Sequence, residues 1–387
     1  MITAAIRFPE KGIFKMKDTL VMKNMQQPIR LKNMSPGELA EQIRSTGEPA
    51  FRANQVIKWV YQKRVDSFEE MKNVSKATRR MLAGKFTIEK LPVAAVLPSP
   101  RGDAVKFGFA LRGDPYIIES VLLFDGDRHT ACLSSQLGCS LGCTFCETGN
   151  LGFIRNLTQE EIIGQLIGIN DYCGKMGERL VTNIVFMGMG EALSNFEAFR
   201  ASLAVIMNEE CFNIGGRRIT VSTAGVIPSI ERLMREDLAI GLAISLNGYS
   251  NEGRSAVMPI NKKYPIETLT AIAARYFKKT GRRVTFEYIV IQGETDTPEA
   301  AQSLLKLIGS LPCKINLIPL NPPPGKPGTP SQEELIRFLE RLHGLGLAAT
   351  IRAGRGRDIG GACGQLTARK YPFPDTEAGG NASPANR

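Results

Sequence analysis

The sequence predicts an α/β fold, a parallel β/α barrel or open sheet that follows a small N-terminal helical domain and a β-rich linker. The chain has 387 residues, more than one ordinary domain, and 43% of them are hydrophobic, which is enough for a large buried core. Beyond Cys139, helical patterns alternate with short β-rich runs at the spacing of parallel strand–helix units. This alternation indicates the parallel arrangement.

Composition divides the chain into five segments. Residues 1–29 have weak periodicity, and we expect a flexible extension there. Residues 30–92 are helical in pattern and basic, as in a small RNA-binding domain, and residues 93–130 form the β-rich linker. Residues 131–370 hold the strand–helix repeats. The tail, residues 371–387, is rich in Pro, Gly, Asn and Ala, and we expect it to be disordered.

The first two ordered segments differ in their periodicity. The helical domain is predicted to contain helices at Ser35–Ser45, Arg52–Lys63, Ser67–Asn73 and Lys76–Phe86. Strands are predicted at Phe107–Leu111, Ile117–Phe124 and Thr130–Ser134, the last being the first strand of the barrel.

The remaining barrel strands are short apolar runs between helices. These runs are Asn183–Met187, Arg218–Ser222, Ala239–Leu246, Thr285–Ile291, Lys314–Leu320 and Ala348–Arg352. Two of the intervening helices begin with predicted capping boxes, in which Thr158 pairs with Glu161 and Ser331 with Glu334. Such a pairing satisfies backbone N–H groups that the first turn of a helix leaves free.

The charge and the N-terminus bear on partners and location. A net charge of +11 fits either a solvated basic surface or a polyanionic partner, with RNA or DNA favoured over a membrane because no amphipathic basic helix stands out. The longest apolar runs are far shorter than a bilayer. Lys11, Lys15 and Lys17 interrupt any signal-peptide core. We therefore expect a cytoplasmic protein that binds no membrane.

Three of the eight cysteines form a cluster, Cys139, Cys143 and Cys146, with an aromatic residue before the last. Soft thiolates select iron–sulfur clusters, zinc or copper(I). A closed zinc site needs a fourth nearby ligand, and the chain has only two histidines and no second C-x-x-C. A [4Fe–4S] cluster held by three cysteines leaves one iron open, which suits S-adenosylmethionine (SAM). This spacing is typical of radical SAM enzymes, and a zinc knuckle with a distant fourth ligand is the alternative.

Polar residues recur where the predicted barrel strands end, and active sites of β/α barrels lie at these ends. Gly190 permits close backbone approach, and the adjacent Glu191 is a candidate for holding the SAM ammonium. Further candidates for SAM contacts at strand ends are Ser222, Ser245, Leu246, Asn247 and Asn321. Any one of these residues could equally be a loop or cap residue. The prediction therefore rests on the recurrence of such residues at successive strand ends.

Longer blocks of sequence resemble the family of radical SAM RNA adenine methyltransferases that includes RlmN and Cfr. The matching blocks are Glu48–Gln55, Ile118–Val121, Ala131–Cys139, Phe186–Glu191 and Asp358–Leu366. They span nearly the whole chain, from about Leu31 to Lys370. The resemblance implies a radical SAM partial (β/α)6 barrel and a [4Fe–4S] cluster. It also implies two SAM molecules per turnover and RNA as the substrate.

The resemblance also implies roles for three residues outside the cluster motif. Cys363 resembles the cysteine that accepts a methyl group from a first SAM, whose methylene radical then adds to an adenine ring carbon. Cys132 resembles the cysteine that resolves the protein–RNA adduct by forming a disulfide with Cys363, and Glu119 resembles the base that removes the ring proton. A second thiol is a sound route for releasing such an adduct, because thiol exchange supplies the leaving group.

Two departures from the family pattern leave the methylated carbon open. Asn247 stands where the family has His, and Ala192 stands where the RlmN branch has Pro, which is closer to Cfr. Methylation of adenine C2 in 23S rRNA, and in some tRNAs, is favoured because it is commoner in the family. C8 methylation, or a paralogue acting on another RNA, is the alternative. We expect a monomer whose cluster is reduced by a partner such as flavodoxin.

Two readings outside this family remain, a radical SAM enzyme of different outcome and a non-catalytic zinc or RNA-binding protein. Neither needs the pair formed by Cys132 and Cys363. If RNA is the partner, basic residues are candidates for phosphate contacts. In the helical domain these are Lys58, Lys63, Arg64, Arg79 and Arg80, and in the barrel they are Arg217, Arg218, Arg282, Arg283, Arg355 and Arg357.

Overall fold

The computed structural model describes residues 28–321, 328–352 and 354–370. The predicted tail, 371–387, and all but the last two residues of the predicted extension lie outside these ranges. Within them, none of the helices has both the length and the apolar character needed to cross a membrane.

Helices and strands are numbered in chain order. Helices α1 to α11 are Pro36–Arg44, Ala50–Tyr61, Lys76–Lys85, Glu147–Asn150, Gln159–Lys175, Phe196–Met207, Ile227–Leu233, Asn251–Val257, Ile266–Thr280, Pro298–Ile308 and Gln332–Gly344. Strands β1 to β15 are Ile29–Arg30, Phe86–Thr87, Val93–Pro98, Ala104–Ala110, Tyr116–Asp125, Arg128–Cys132, Gln136–Gly138, Phe153–Asn156, Asn183–Phe186, Ile219–Thr223, Gly241–Ser245, Val284–Val290, Cys313–Pro319, Ala349–Ile351 and Arg369–Lys370.

One large sheet organises the molecule, and its parallel part is the barrel. Strand β6 pairs in parallel with β9, and the series continues through β10, β11, β12 and β13 to β14. The path runs from β14 at one end to the linker strands at the other, so the barrel is partial, as expected. Because the strands are parallel, all their carboxyl ends lie at one opening of the barrel and all their amino ends at the other.

The antiparallel part of the sheet joins the linker to the C-terminal segment. Strands β3, β4, β5 and β6 form an antiparallel series, and β15 pairs antiparallel with β5. The register of β15 places Arg369 opposite Ile117, which anchors the segment that follows the barrel. Strand β3 was not predicted from the sequence. It is an edge strand with mostly exposed side chains, so it lacks the alternation of buried and exposed residues that marks a half-buried strand.

Most of the helix features predicted from the local sequence are present in the structure. Both predicted capping boxes are present: Thr158 Oγ1 accepts from Glu161 N at the start of α5, and Ser331 Oγ accepts from Glu334 N at the start of α11. Such a cap stabilises a helix by about 1 kcal/mol. The helix predicted at Ser67–Asn73 is wrong, since only a 3-10 turn forms at Phe68–Glu70. The spacing of Phe68 and Met71 fits a single turn as well as a helix, and both side chains are buried.

The N-terminal helices are fastened to α5 of the barrel by polar contacts. Gln159 Nε2 donates to Lys32 O at 2.9 Å, and the buried Lys32 Nζ donates to Ile88 O at 2.6 Å. Asp171 receives two cations, Arg64 Nε at 2.8 Å and Lys90 Nζ at 2.7 Å. The apolar residues of these helices belong to the same continuous core as the barrel.

Candidate active site

The three clustered cysteines lie on one hairpin loop directly after the first barrel strand. Strands β7 and β8 pair antiparallel, and the loop between them carries Cys139, Cys143 and Cys146. The hairpin needs glycine at Gly138, where φ is +77° and a Cβ atom would overlap Gly152 O. This close approach fixes the loop at the carboxyl-end opening of the barrel.

The three thiols line one cavity of about 160 Å³, which we call the cluster pocket. Its wall is built from the carboxyl ends of successive strands, and apolar residues make up much of it. Among the residues predicted to contact SAM, the cluster pocket brings together Gly190, Glu191, Ser222, Ser245, Asn247 and Asn321. Leu246 is absent from this wall, because its side chain is fully buried in the core.

The donor set of the pocket fits an iron–sulfur cluster. Burial raises the pKa of Cys139 to about 11 and that of Cys143 to about 12, so free thiolates are unfavourable here unless a positively charged group binds them. Among the described residues, no three His, Cys, Asp or Glu side chains are arranged to hold a metal ion. The fit therefore rests on the chemistry of three soft donors that share one pocket.

A buried cation lies beside the cluster loop. Arg254 is completely buried, and its guanidinium donates to Leu246 O at 2.9 Å and to Ala224 O at 2.7 Å. Its charge acts on Cys143 against the effect of burial. Arg254 was not predicted from the sequence, because an isolated arginine in a helix is ordinarily an exposed residue.

Glu191 is a buried carboxylate at the end of the second barrel strand. Burial raises its pKa to about 7, although Oε2 accepts from Ala224 N at 2.8 Å and Oε1 from Leu193 N at 3.2 Å. Gly190 has φ of +89°, and a Cβ there would overlap the side chain of Gln136. The backbone of this loop can therefore lie against the hairpin that carries the cysteines.

Two of the residues predicted to contact SAM, Ser222 and Asn247, already form hydrogen bonds within the protein. Ser222 Oγ donates to Glu287 Oε2 at 2.6 Å. Asn247 Oδ1 accepts from Ile289 N at 3.1 Å, so this side chain supports the strand ends as well as lining the pocket. Asn321 differs, because its buried Oδ1 has no hydrogen-bond partner in the described part of the chain. An unpaired buried acceptor in a pocket wall is suited to a ligand that donates a hydrogen bond.

Glu287 and Arg352 form an ion pair inside the barrel that was not predicted from the sequence. Arg352 Nη1 lies 3.1 Å from Glu287 Oε1, and it also contacts Met187 Sδ at 3.2 Å. An acidic residue within the otherwise apolar β12 was the one available signal for Glu287. Arg352 directly follows the last barrel strand, β14, so its position at a strand end was the available signal for it.

Cys363 is held against the cluster loop by the C-terminal segment. Glu147 N donates to Gly364 O at 2.8 Å, and Thr148 Oγ1 donates to Leu366 O at 2.5 Å. Asn321 Nδ2 donates to Cys363 O at 3.4 Å. Cys363 consequently lines the cluster pocket although it lies more than two hundred residues from the cluster cysteines in sequence.

Cys363 also lines a second cavity, where it meets Cys132. This cavity, of about 320 Å³, fills the barrel interior below the cluster pocket, and we call it the basal cavity. Cys132 lines the basal cavity and not the cluster pocket. Burial, together with the proximity of Cys363, raises the pKa of Cys132 to about 12, and the charge of Arg352 acts in the opposite direction. The two thiols and one cation thus form a group between the cavities.

Glu119 lines neither cavity. Its buried carboxylate lies on β5, where Oε1 is 3.0 Å from Lys106 Nζ and Oε2 accepts from Thr367 N at 3.1 Å. The C-terminal segment that carries Cys363 thus covers Glu119. The structure brings the other two predicted catalytic residues, Cys132 and Cys363, to the basal cavity, whereas Glu119 contacts the segment that carries Cys363 at Thr367.

Comparisons with known proteins agree with this architecture. Residues 29–88 match the family described as the ribosomal RNA large subunit methyltransferase N-terminal domain, and residues 133–305 match the radical SAM superfamily. The chain is 38% identical to the dual-specificity RNA methyltransferase RlmN of Desulfotalea psychrophila, with 88% of this chain and 95% of the relative covered. Its identity to the protein of that name from Marinobacter nauticus is 41%, over 90% and 95% of the two chains. The chain belongs to the RlmN family.

A solved structure supports the assignment to the RlmN family. The radical SAM methyltransferase from Sphaerobacter thermophilus superposes with a TM-score of 0.83 at 41% identity, covering 88% of this chain and 99% of that one. Membership of the RlmN family makes this chain a radical SAM methyltransferase whose cofactors are a [4Fe–4S] cluster and SAM, used twice per turnover. The family and the fold class predicted from the sequence are confirmed.

Proposed function

We propose that this chain transfers a methyl group from SAM to an adenine ring carbon of RNA, with C2 favoured and 23S rRNA and tRNA as substrates. The relatives named as dual-specificity RNA methyltransferases support RNA as the substrate. The observation that carries the proposal is the position of Cys363, which faces the cluster pocket on one side and Cys132 on the other. A thiol there can receive a methyl group, present it to a base and then be released.

Radical chemistry is needed because the C2 carbon of adenine, flanked by two ring nitrogens, is not nucleophilic. When bound, the [4Fe–4S] cluster and SAM supply a 5′-deoxyadenosyl radical that abstracts hydrogen from a methyl group. Cys139, Cys143 and Cys146 would hold the cluster. The carboxylate of Glu191 would bind the SAM ammonium, and Asn321 Oδ1 would accept a hydrogen bond from the ligand.

The residues outside the cluster motif would divide the remaining steps. Cys363 carries the methyl group, and Cys132 attacks the Cys363 sulfur to free the RNA and leave a disulfide. The charge of Arg352 favours the thiolate form of both cysteines. Glu119 takes the ring proton, and Thr367 N must release its carboxylate first. We infer that the segment carrying Cys363 shifts when RNA binds.

Nucleoside mass spectrometry of RNA treated with enzyme and SAM tests the reaction. We expect 2-methyladenosine, and its absence together with that of 8-methyladenosine contradicts the proposal. In Cys132→Ala the adduct cannot be resolved, so nuclease-resistant nucleotide should remain on the peptide that contains Cys363. Cys211→Ala is the matched control, because Cys211 is buried and lines neither cavity. It should methylate normally and carry no nucleotide.

A second candidate activity is methylation at C8. The observation that favours it is Ala192, which replaces the proline of the RlmN branch and is buried at the start of a 3-10 turn beside Glu191. Ala192 is not itself part of the cluster-pocket wall, but it directly follows Glu191, which is. The same mass spectrometry separates the two products, since 8-methyladenosine as the main nucleoside assigns the C8 activity.

We further propose that the protein works in the cytoplasm as a monomer and that a small electron carrier such as flavodoxin reduces its cluster. All eight cysteines are free thiols, which is typical of a reducing compartment. Light scattering of the purified protein tests the oligomeric state. Reduction of the cluster by flavodoxin, followed by its absorbance, tests the electron carrier.

A further inference from the structure

The basal cavity is a cation-lined opening at the end of the barrel opposite the cluster. Residues at the amino ends of the strands line it, among them Arg217, Arg218 and Lys314, and all three side chains are exposed to solvent. Among the described residues, the cations in its wall are Arg128, Arg217, Arg218, Lys314, Arg352 and Arg355. Its described lining contains no Asp or Glu.

Neighbouring carboxylates neutralise only part of this charge. Asp125 pairs with both Arg128 and Arg355 just outside the wall. Glu287 pairs with Arg352 at the inner end. The six cations therefore face two carboxylates, and Arg217, Arg218 and Lys314 have no ion-pair partner among the described residues. The opening attracts anions, because a cleft with low-dielectric walls concentrates the field of its charges.

The inner end of the basal cavity is the cysteine pair. Cys132 lines only the basal cavity, whereas Cys363 lines both the basal cavity and the cluster pocket. A molecule that enters at the amino-end opening can therefore reach Cys132 without crossing the cluster pocket. A cavity of about 320 Å³ is of the size that holds a small molecule.

We propose that the amino-end opening of the barrel admits a small anionic thiol that reduces the disulfide between Cys132 and Cys363. This inference rests on the proposed function, in which each turnover leaves that disulfide. The cations at the mouth draw in the anion, and the cavity leads it to the sulfur of Cys132. RNA and SAM enter at the opposite, carboxyl-end opening, so product release and reduction do not share a path.

The exchange balances with two molecules of the thiol. The first, as thiolate, bonds to the Cys132 sulfur and breaks the S–S bond, so that Cys363 leaves as a thiolate beside Arg352. The second thiol attacks the outer sulfur of the mixed disulfide and frees Cys132. Two electrons pass to the protein disulfide, the two thiol protons end on the cysteines, and the reductant leaves as its own disulfide.

The test compares three thiols with the same two-carbon skeleton and different charges, 2-mercaptoethanesulfonate, 2-mercaptoethanol and cysteamine. Cluster-loaded protein is oxidised anaerobically with one equivalent of diamide, and mass spectrometry locates the disulfide. The reduction rate of each thiolate is divided by its rate with a neutral disulfide in solution. We expect the anionic thiol to exceed the uncharged one by roughly tenfold, the cationic thiol to be slowest, and the preference to shrink as salt rises.

Variants that remove positive charge from the mouth of the basal cavity test whether the preference for the anionic thiol arises there. The variant R217Q/R218Q/K314Q should lose the preference for the anionic thiol. The variant K72Q/K76Q/K85Q removes the same charge from exposed lysines of the helical domain and should keep it. Equal normalised rates for the three thiols in the wild type, or an unchanged preference in the first variant, overturn the inference.

Two further outcomes separate this inference from the proposed function. If diamide gives no disulfide between Cys132 and Cys363, the cysteine pair and the proposed function fail together with it. If the disulfide forms without any charge preference, only the amino-end route fails. If R217Q/R218Q/K314Q weakens RNA binding while the thiol preference persists, these cations serve RNA and the route is likewise rejected.

Discussion

At the scale of single residues, burial decides what the charged groups of the site can do. Glu191, Glu287, Arg254 and Arg352 all lie within or beside the two cavities, although charged side chains are ordinarily exposed. Glu287 and Arg352 satisfy each other, and Arg254 is satisfied by carbonyl oxygens. Glu191 is hydrogen-bonded by backbone N–H groups and by the side chain of Thr223, and no cation pairs with it among the described residues, which leaves it available for the ammonium of a ligand.

The raised pKa of Glu191 predicts how SAM binding depends on pH. Burial raises this pKa to about 7, above the ordinary value of 4.5, so the SAM-free protein gains a proton as the pH falls through about 7. The ammonium binds the ionised carboxylate, so binding must expel that proton. SAM affinity should therefore fall towards tenfold per pH unit as the pH decreases below about 7.

Anaerobic calorimetry with cluster-loaded protein measures this dependence. Glu191→Gln should bind SAM more weakly at high pH and should lack the fall at low pH. A flat profile in the wild-type protein across this range would show that Glu191 does not hold the ammonium. The same shift makes ionised Glu191 unfavourable without SAM, so the stability of the SAM-free protein should decrease as the pH rises from about 4.5 to about 7.

At the scale of elements, the hairpin formed by β7 and β8 is what presents the cluster cysteines. Its backbone returns closely enough that a glycine is required at Gly138, whereas Gly142, in the loop between the cysteines, has a similar positive φ with open space around it. Both glycines relieve backbone strain, but only Gly138 also prevents a collision. A comparison of substitutions at these two positions therefore separates the effect of backbone strain from that of close packing.

We predict that Gly138→Ala lowers the iron content of the protein far more than Gly142→Ala does. The first substitution must displace the hairpin, because its Cβ would overlap Gly152 O, and the cysteines would move with it. The second costs about 1 kcal/mol of backbone strain and moves nothing. Iron per chain after anaerobic reconstitution measures the difference. Equal iron in the two variants would show that the hairpin tolerates displacement.

At the scale of the whole molecule, the positive charge is divided between paired and unpaired cations. Of the predicted phosphate contacts in the helical domain, Lys58, Arg64 and Arg79 form ion pairs, with Glu210, Asp171 and Glu69. Lys63 and Arg80 have no ion-pair partner in the described ranges. Paired cations already stabilise the fold, so the unpaired ones are the better candidates for RNA.

This division predicts the salt dependence of RNA binding. Lys63→Gln should reduce the slope of log affinity against log salt by about 0.7 to 0.9, the value of one phosphate contact. Lys58→Gln is the matched control, because Lys58 lies in the last turn of α2, five residues before Lys63, but contacts Glu210 at 2.8 Å. It should leave the slope nearly unchanged. Fluorescence anisotropy with a labelled RNA hairpin at several salt concentrations measures both, and equal slopes for both variants would reject the assignment.

The sequence by itself determined the family, the cluster motif and the order of strands and helices, because these depend on local spacing and periodicity. The cysteine spacing and the strand-end glycines belong to this class. Tertiary structure decided the rest. It placed Cys363, whose pairing with Cys132 the family resemblance had implied, between two cavities, buried Arg254 beside the cluster loop, and covered Glu119 with the C-terminal segment. These contacts join residues far apart in sequence, and burial then sets their charge states, so no local pattern encodes them.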